Sequence, residues 1–297
     1  MAGFKTLSPA QWHAAGKNFD WHGRTIFYRD EGAGEKALLL IHGFPTASWD
    51  FAELWPYLRQ RFARVVTLDM LGFGFSDKPA HHDYTLMEQA DLHEALLRTL
   101  GITCIHILAH DYGVSVAQEL LARHRERTVR VPEIDSVALL NGGLFPETHR
   151  MTITQRLLRS PLGALLSAVN NERRFARSFS VVFGPWTKPD ARTLQDFWSL
   201  ITHNKGHRIL HRLIAYIDER RRHRERWVTA LQKTPVPLRL INGPEDPVSG
   251  AHMVQRYREL IPNADVVSLE GIGHYPQTEA PQQVLKALAA FYERIKA

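Results

Sequence analysis

The chain has 297 residues, enough for one large domain with an inserted subdomain, and its 44% hydrophobic and 23% charged residues are typical of a globular protein and exclude a disordered chain. The single cysteine, Cys104, excludes an internal disulfide framework. The net charge of +6 does not indicate a nucleic-acid partner, because the arginines concentrate in residues 123–127 and 220–226, where acids interrupt them as on solvated helix faces, and no recognition motif accompanies them.

The sequence also lacks the apolar segments that direct a chain to a membrane or through it. Its first residues contain no apolar core of signal-peptide length, and no stretch approaches the roughly 18 apolar residues of a membrane span. We therefore expect a soluble, cytoplasmic protein with no stable membrane insertion. The sequence leaves the oligomeric state open.

In chain order, apolar runs of strand length alternate with amphipathic stretches of helix length, which predicts an α/β fold with a mostly parallel sheet flanked by helices. The predicted strands are Thr25–Arg29, Ala37–Ile41, Arg64–Leu68, Cys104–Ala109, Asp135–Leu140, Leu238–Asn242 and Asp265–Leu269. The predicted helices are Trp49–Gln60, Leu86–Leu100, Val114–His124, Ala251–Leu260 and Pro281–Ile295. Between Gly142 and Thr234 the pattern contains no convincing strand, so we expect a helical cap at residues 143–234, inserted into a core formed by residues 1–142 and 235–297.

A carboxylate stands at the junction of one predicted strand and helix, in the segment Ala109-His110-Asp111-Tyr112-Gly113. Small residues two positions to either side of Asp111 match the nucleophile elbow, a turn so sharp that larger flanking side chains would collide with neighbouring backbone. A carboxylate is already ionised at neutral pH and can attack a saturated carbon, which gives an ester that a histidine-activated water must hydrolyse. The alternative is that Asp111 only caps the following helix.

Two downstream residues are candidates for the partners of Asp111. Asp246 lies in the loop after the predicted strand Leu238–Asn242, and His274 lies in a glycine-flanked loop after the last predicted strand. The chain order of nucleophile, acid and histidine is that of nucleophile-elbow enzymes, in which the acid orients the histidine and stabilises its charged form. Asp246 also precedes Pro247, so a simple turn residue is an alternative.

Upstream, the segment His42-Gly43-Phe44-Pro45 follows another predicted strand. In an elbow fold, the loop after this strand and the residue after the nucleophile donate backbone N–H groups to an oxyanion, which makes Phe44 and Tyr112 the expected donors. We expect His42 to brace the loop. The glycines of residues 69–77 lack the spacing of a dinucleotide-binding motif and indicate a structural loop, and we expect neither a cofactor nor a metal.

These motifs resemble those of the epoxide hydrolases and haloalkane dehalogenases of the α/β-hydrolase superfamily. The resemblance extends over nearly the whole chain and implies an α/β-hydrolase fold with an inserted helical cap. Several segments more narrowly resemble the mesoderm-specific transcript family. The most specific of them is Asn141-Gly142-Gly143-Leu144-Phe145-Pro146-Glu147-Thr148-His149-Arg150.

The resemblance also bears on the choice of substrate. Haloalkane dehalogenases hold the leaving halide with a tryptophan just after the nucleophile and an asparagine or tryptophan after the His-Gly pair, where this chain has Tyr112 and Phe44. Epoxide hydrolases use cap tyrosines to protonate the opened ring, and Tyr216 is the only tyrosine between Asn141 and Leu231. Trp186 is the candidate for the place of a second tyrosine. The substrate pocket is expected to include His42, Pro45, Asn141 and Trp186.

The leading hypothesis is therefore an epoxide hydrolase in which Asp111 attacks an oxirane, Tyr216 assists ring opening, and His274 with Asp246 activates the water that releases a vicinal diol. Its substrate would be a small apolar epoxide or a related electrophile. One alternative is a haloalkane dehalogenase with the same aspartate nucleophile. Another is a noncatalytic ligand-binding protein that keeps the same fold.

Overall fold

A computed structural model of the chain describes residues 7–126 and 132–296, so that Arg127, the last arginine of the run at residues 123–127, lies outside the described residues. Within these described ranges, eight strands form one sheet. They are β1 (Lys17–Trp21), β2 (Arg24–Gly32), β3 (Lys36–Ile41), β4 (Arg64–Leu68), β5 (Cys104–Ala109), β6 (Glu133–Leu139), β7 (Leu238–Asn242) and β8 (Val266–Ser268).

The spatial order of the strands is β1-β2-β4-β3-β5-β6-β7-β8. The pairs β1–β2 and β2–β4 are antiparallel, and every later pair is parallel. The prediction of an α/β fold with a mostly parallel sheet is thus confirmed, and all seven predicted strands are present. The central strands are buried on both faces, as in residues Leu38–Ile41, which explains why they read as continuous apolar runs.

Strand β1 was not predicted. It is an edge strand whose first four residues are exposed or half-buried, so it carries little of the apolar signal that marks a core strand. A two-residue turn joins it to β2, in which His22 and Gly23 both have positive φ, 54° and 74°. This is the backbone of a tight hairpin turn.

The sheet is flanked by α-helices, and four short 3₁₀-helices interrupt the connections. The α-helices are α1 (Pro9–Ala14), α2 (Trp55–Arg61), α3 (Leu86–Thr99), α4 (Tyr112–Glu126), α5 (Ile153–Leu158), α6 (Gly163–Ala168), α7 (Glu172–Phe179), α8 (Ala191–Thr202), α9 (Leu210–Leu213), α10 (Tyr216–Arg222), α11 (Arg224–Lys233), α12 (Ala251–Leu260), α13 (Pro276–Glu279) and α14 (Pro281–Lys296). The 3₁₀-helices are Ser48–Phe51, Pro146–Thr148, Ser180–Val182 and His203–Ile209.

The predicted helix Trp49–Gln60 is wrong in one respect, because it is divided into the 3₁₀-helix Ser48–Phe51 and the later helix α2. Pro56 lies in the first turn of α2, and its ring and missing N–H prevent an α-helix from continuing through it from the N-terminal side. No strand lies in residues 143–234, which the structure describes throughout. Those residues supply helices α5 to α11, next to the carboxyl ends of the sheet strands.

The arginine-rich helices are held to the core by ion pairs. Arg123 of α4 contacts Asp91, Glu94 and Glu119, and Arg226 of α11 contacts Glu119 as well as Glu126. These contacts neutralise one arginine in each run. In the part of the chain that the structure describes, no helix has the length and apolar character needed to cross a membrane.

Candidate active site

Asp111 occupies the turn between β5 and α4 in a strained backbone conformation. Its φ is 44°, a left-handed value that costs a non-glycine residue of order 1 kcal/mol or more, and such strain concentrates at functional sites. The backbone N–H of Asp111 donates to the carbonyl of Asn141 at 2.7 Å, which ties the turn to the end of β6. An ordinary N-cap residue would have extended backbone and would bond the first turn of its own helix. The carboxylate of Asp111 instead accepts a hydrogen bond from the backbone N–H of Phe44 at 3.0 Å.

The small residues around Asp111 have a steric cause. A Cβ atom on Gly113 would lie 2.6 Å from the carbonyl oxygen of His42, and closer still to that of Ile41. A Cβ atom on Gly43 would lie 2.8 Å from the Cβ of Asp111. Strand β3 and the elbow therefore approach each other too closely for side chains at either glycine, as the elbow interpretation of the sequence requires.

His274 lies between two carboxylates. Its Nδ1 is 2.7 Å from Oδ2 of Asp246, and its Nε2 is 3.7 Å from Oδ1 of Asp111. Burial lowers the pKa of His274, but Asp246 and Asp111 outweigh that effect and raise it to about 9. Burial raises the pKa of Asp246, whereas His274, Ser249 and the backbone of Val248 lower it to about 2. The pair is therefore an imidazolium and a carboxylate at neutral pH.

Two backbone N–H groups are the candidate donors to an oxyanion. That of Phe44 already contacts the Asp111 carboxylate, and that of Tyr112 begins α4, where the first N–H groups have no partner within the helix. His42 holds the Phe44 loop: its Nδ1 is 2.9 Å from the carbonyl of Gly43, and its Nε2 accepts the N–H of Met70 at 3.0 Å. Burial lowers the pKa of His42 to about 4, so its ring is neutral and serves as a brace.

A cavity of about 270 Å³ opens above these groups. Its core-side wall consists of Phe44, Pro45, Asp111, Val248, His274 and Tyr275, and the opposite wall comes mostly from α5, α6 and α7. Of the four predicted pocket residues, the structure places only Pro45 in the wall. His42 and Asn141 lie behind it, fully buried. Trp186 is 90% exposed in the loop before α8, away from the cavity, so no second aromatic donor comes from that position.

Tyr216, the first residue of α10, lies beside the nucleophile but is fully buried and does not belong to the cavity wall. Its ring centre is 5.0 Å from that of Tyr112 and 5.8 Å from that of Phe44. Burial and the charge of Asp111 raise the pKa of its hydroxyl, while Arg220 and Gln155 lower it. Tyr216 is thus a protonated phenol close to the Asp111 carboxylate.

Comparison with known proteins identifies the family of this chain. A family model described as alpha/beta hydrolase fold matches residues 36–281. The chain belongs to this family. It is 43% identical to the mesoderm-specific transcript protein of Mus musculus over 96% of its own length and 88% of that protein's.

Two solved structures share the α/β-hydrolase architecture. One is the haloalkane dehalogenase DbeA of Bradyrhizobium elkani, with a TM-score of 0.78, 20% identity and coverage of 95% of this chain and 98% of the other. The second is the epoxide hydrolase CorEH, with a TM-score of 0.74, 18% identity and coverage of 94% and 99%. At these identities the likeness shows the fold alone.

Within this α/β-hydrolase, Arg220 is a residue that the sequence did not single out. It is fully buried, its Nε donates to Oγ of Ser115 at 2.7 Å, and a terminal nitrogen donates to the backbone carbonyl of Asp111 at 2.7 Å. The same nitrogen is 3.9 Å from Oδ1 of Asp111, and the guanidinium lies 4.5 Å from the ring centre of Tyr216. The available signal was its position four residues after Tyr216, on the same face of a helix.

Asn141 has a role other than the predicted one. Its side-chain amide donates to Oδ2 of Asp246 at 3.0 Å, and its side-chain oxygen accepts the N–H of Gly243 at 2.7 Å. Because its own carbonyl accepts the N–H of Asp111, one residue fixes both the candidate nucleophile and the candidate acid.

The glycine-containing segment at residues 69–77 is a structural loop, as predicted. The carboxylate of Asp69 accepts the backbone N–H groups of Ser48 and Phe75, so it closes the loop on itself. Among the described residues, no group of three or more histidine, cysteine, aspartate or glutamate side chains is arranged to hold a metal ion.

Proposed function

We propose that this α/β-hydrolase opens epoxides through an ester on Asp111 and hydrolyses that ester to a vicinal diol. The observation that carries the proposal is the position of the Asp111 carboxylate, on a strained elbow in the cavity wall, between the Phe44 N–H and the imidazole of His274. A serine hydroxyl at this position would need a base to activate it, whereas a carboxylate is nucleophilic as it stands.

In the first step, a carboxylate oxygen of Asp111 forms a bond to an oxirane carbon and the ring C–O bond breaks. The ring oxygen keeps the electron pair of that bond and becomes an alkoxide, which takes the phenolic proton of Tyr216. Burial and the charge of Asp111 raise the pKa of Tyr216, and Arg220, 4.5 Å from its ring centre, opposes part of that rise, so the phenol holds its proton until an alkoxide forms. Solvent protons then restore the phenol.

In the second step, the charge balance around His274 changes. Asp111 is one of the anions that raise the pKa of His274, and the ester on Asp111 is neutral. Formation of the ester therefore lowers that pKa, so His274 releases its proton to solvent and the neutral imidazole can then remove a proton from water. The water oxygen attacks the carboxyl carbon of Asp111, and the Phe44 and Tyr112 N–H groups stabilise the resulting oxyanion. Collapse of this intermediate releases the diol and restores the carboxylate.

An epoxide fits the surroundings of Asp111 better than a haloalkane does. A departing halide needs N–H donors, yet Tyr112 and Phe44 occupy the two positions where dehalogenases resembling this chain have them, and Trp186 is exposed away from the cavity. The described lining of the cavity includes no tryptophan. An alkoxide needs a proton, and Tyr216 is a protonated phenol beside the nucleophile.

The ester can be tested by a single turnover with excess enzyme in water enriched in heavy oxygen, using a panel of small alkyl and aryl epoxides. Because water attacks the carboxyl carbon, the heavy oxygen is expected in Asp111, detected by mass in its peptide, and the first diol is expected to be unlabelled. Heavy oxygen found directly in the diol would mean that water attacks the epoxide and that Asp111 is not the nucleophile. An unchanged epoxide across the panel would favour a noncatalytic binding protein.

Replacing Tyr216 with phenylalanine distinguishes the two electrophiles. We expect the rate of epoxide opening to fall about 100-fold, since a positioned general acid contributes at least that much. Displacement of bromide from a bromoalkane would need no proton and would be left unchanged by the same substitution. The measurement is pre-steady-state ester formation with each substrate class. Wild-type turnover of bromoalkanes exceeding that of epoxides would identify the protein as a dehalogenase.

A further inference from the structure

The exposed apolar surface of this protein is concentrated in one short stretch of chain. All seven large hydrophobic side chains that are exposed in the described residues lie between Ile153 and Trp186. Five of them occur on α5, on α6 and in the turns beside α6: Ile153, Leu157, Leu162, Leu165 and Val169, which are between 47% and 75% exposed. We call these five residues the mouth patch. Contiguous exposed apolar surface on a soluble protein marks an interaction site.

The stretch of chain that forms the mouth patch also carries unneutralised positive charge. Residues 151–179 contain five arginines and one acid, Glu172. Arg159 pairs with Asp218 of α10, but Arg156, Arg173 and Arg177 are exposed and have no acidic partner within ion-pair distance among the described residues. This differs from the arginine run of α10 and α11, where Arg220, Arg221, Arg224 and Arg226 each contact a carboxylate.

The substrate cavity opens onto the same surface. Leu157 of the mouth patch and the exposed Arg174 are both part of the cavity wall, together with Leu166 and Asn170 from α6 and the turn that follows it. A molecule that covers the mouth patch would therefore also cover the entrance to Asp111 and His274.

We propose that the mouth patch docks on the surface of an anionic lipid membrane and that apolar substrates enter the cavity from the lipid. Exposed aliphatic side chains together with exposed arginines are the composition of peripheral membrane-binding surfaces, in which the aliphatic side chains enter the headgroup region and the cations attract acidic lipids. A second copy of the chain fits less well, because a symmetric contact through this face would bring arginines together. The docking is peripheral and involves no membrane-spanning segment.

The docking proposal does not rest on the chemistry at Asp111, and its test needs no substrate. Full-length protein is sedimented with vesicles of phosphatidylcholine alone and with vesicles of phosphatidylcholine mixed with phosphatidylserine. The wild type is expected to bind the mixed vesicles much more strongly, and to be released by high salt. The double substitution Arg173→Glu/Arg177→Glu is expected to weaken partitioning by at least about 25-fold, since each cation near an anionic surface contributes about fivefold.

Two further variants test whether vesicle binding depends on the mouth patch or only on the net charge of the protein. Arg98→Glu/Arg258→Glu makes the same charge change at exposed positions on the core helices α3 and α12, and is expected to retain most of the binding. Leu162→Ser/Leu165→Ser removes apolar contact at exposed positions and is expected to weaken binding without changing the melting temperature.

Three results would overturn the proposal. The wild type could fail to bind mixed vesicles, the two double arginine variants could lose vesicle binding equally, or the leucine variant could bind as strongly as the wild type. Self-association of the wild type that the leucine substitutions abolish, without vesicle binding, would instead assign the mouth patch to a dimer.

Discussion

Replacing His274 with glutamine is expected to stop this enzyme after one turnover, with the substrate held as an ester on Asp111. In the proposed mechanism the first step needs only the carboxylate and Tyr216, so it is expected to proceed, whereas the second needs the imidazole to activate water. Loss of a general base lowers the rate of such a step by about 10² to 10⁴-fold. Intact-mass measurement after incubation with an epoxide is expected to show one added substrate mass per chain.

The control for this prediction is the double variant His274→Gln/Asp111→Asn, in which the nucleophile is replaced by a neutral group of the same shape. It is expected to show no added mass, and peptide mapping of the single variant is expected to place the ester on Asp111. Absence of an adduct across a broad panel of epoxides would contradict the proposed function, and an adduct on another residue would exclude Asp111 as the nucleophile.

Replacing Gly113 with alanine is expected to destabilise the fold by about 3 kcal/mol, because the new methyl group would overlap the carbonyl oxygens of Ile41 and His42. Helix propensity alone predicts the opposite sign. Gly113 lies in the first turn of α4, where alanine would otherwise stabilise a helix by up to about 1 kcal/mol. Urea-induced unfolding of the two proteins measures the difference directly.

The matched control is Gly23→Ala in the β1–β2 turn. Its φ of 74° is unfavourable for alanine, but no atom lies within 4 Å of the added Cβ, so the expected loss is only about 1 kcal/mol. Because Gly113 is not among the glycines with positive φ, a loss there no greater than at Gly23 would mean that close approach to β3 does not explain the requirement for glycine at the elbow. A gain of stability at Gly113 would mean that β3 can move away from the elbow.

Most of the sheet could be predicted from the sequence because its central strands are buried on both faces, and burial leaves an uninterrupted apolar run. Strand β1 could not be predicted in this way. It lies at the edge of the sheet, where Lys17–Asp20 are exposed or half-buried and need not be apolar. The division of the helix predicted at Trp49–Gln60 had a local signal in Pro56, whose ring is incompatible with the helix interior. Long-range packing was not needed to find it.

In the candidate site, too, local sequence patterns predict some residues, whereas others depend on the three-dimensional arrangement. Strand ends and chain order single out Asp111, Asp246 and His274 as candidates, and the structure brings the two aspartates within hydrogen-bond or ion-pair distance of His274. The surroundings could not be found in this way. Whether Trp186 points into the cavity or into solvent depends on how a loop is oriented, and the contact of Arg220 with Asp111 joins residues that are 109 positions apart.

The reactive groups and most of the cavity wall come from different stretches of chain. Asp111, Asp246 and His274 stand on loops at the carboxyl ends of β5, β7 and β8, whereas the opposite wall belongs to α5, α6 and α7. Substrate preference can therefore diverge through changes in residues 151–182 while the reaction is conserved. A graft of this stretch from a relative, with Tyr216 and Arg220 left in place, would exchange selectivity and keep the chemistry.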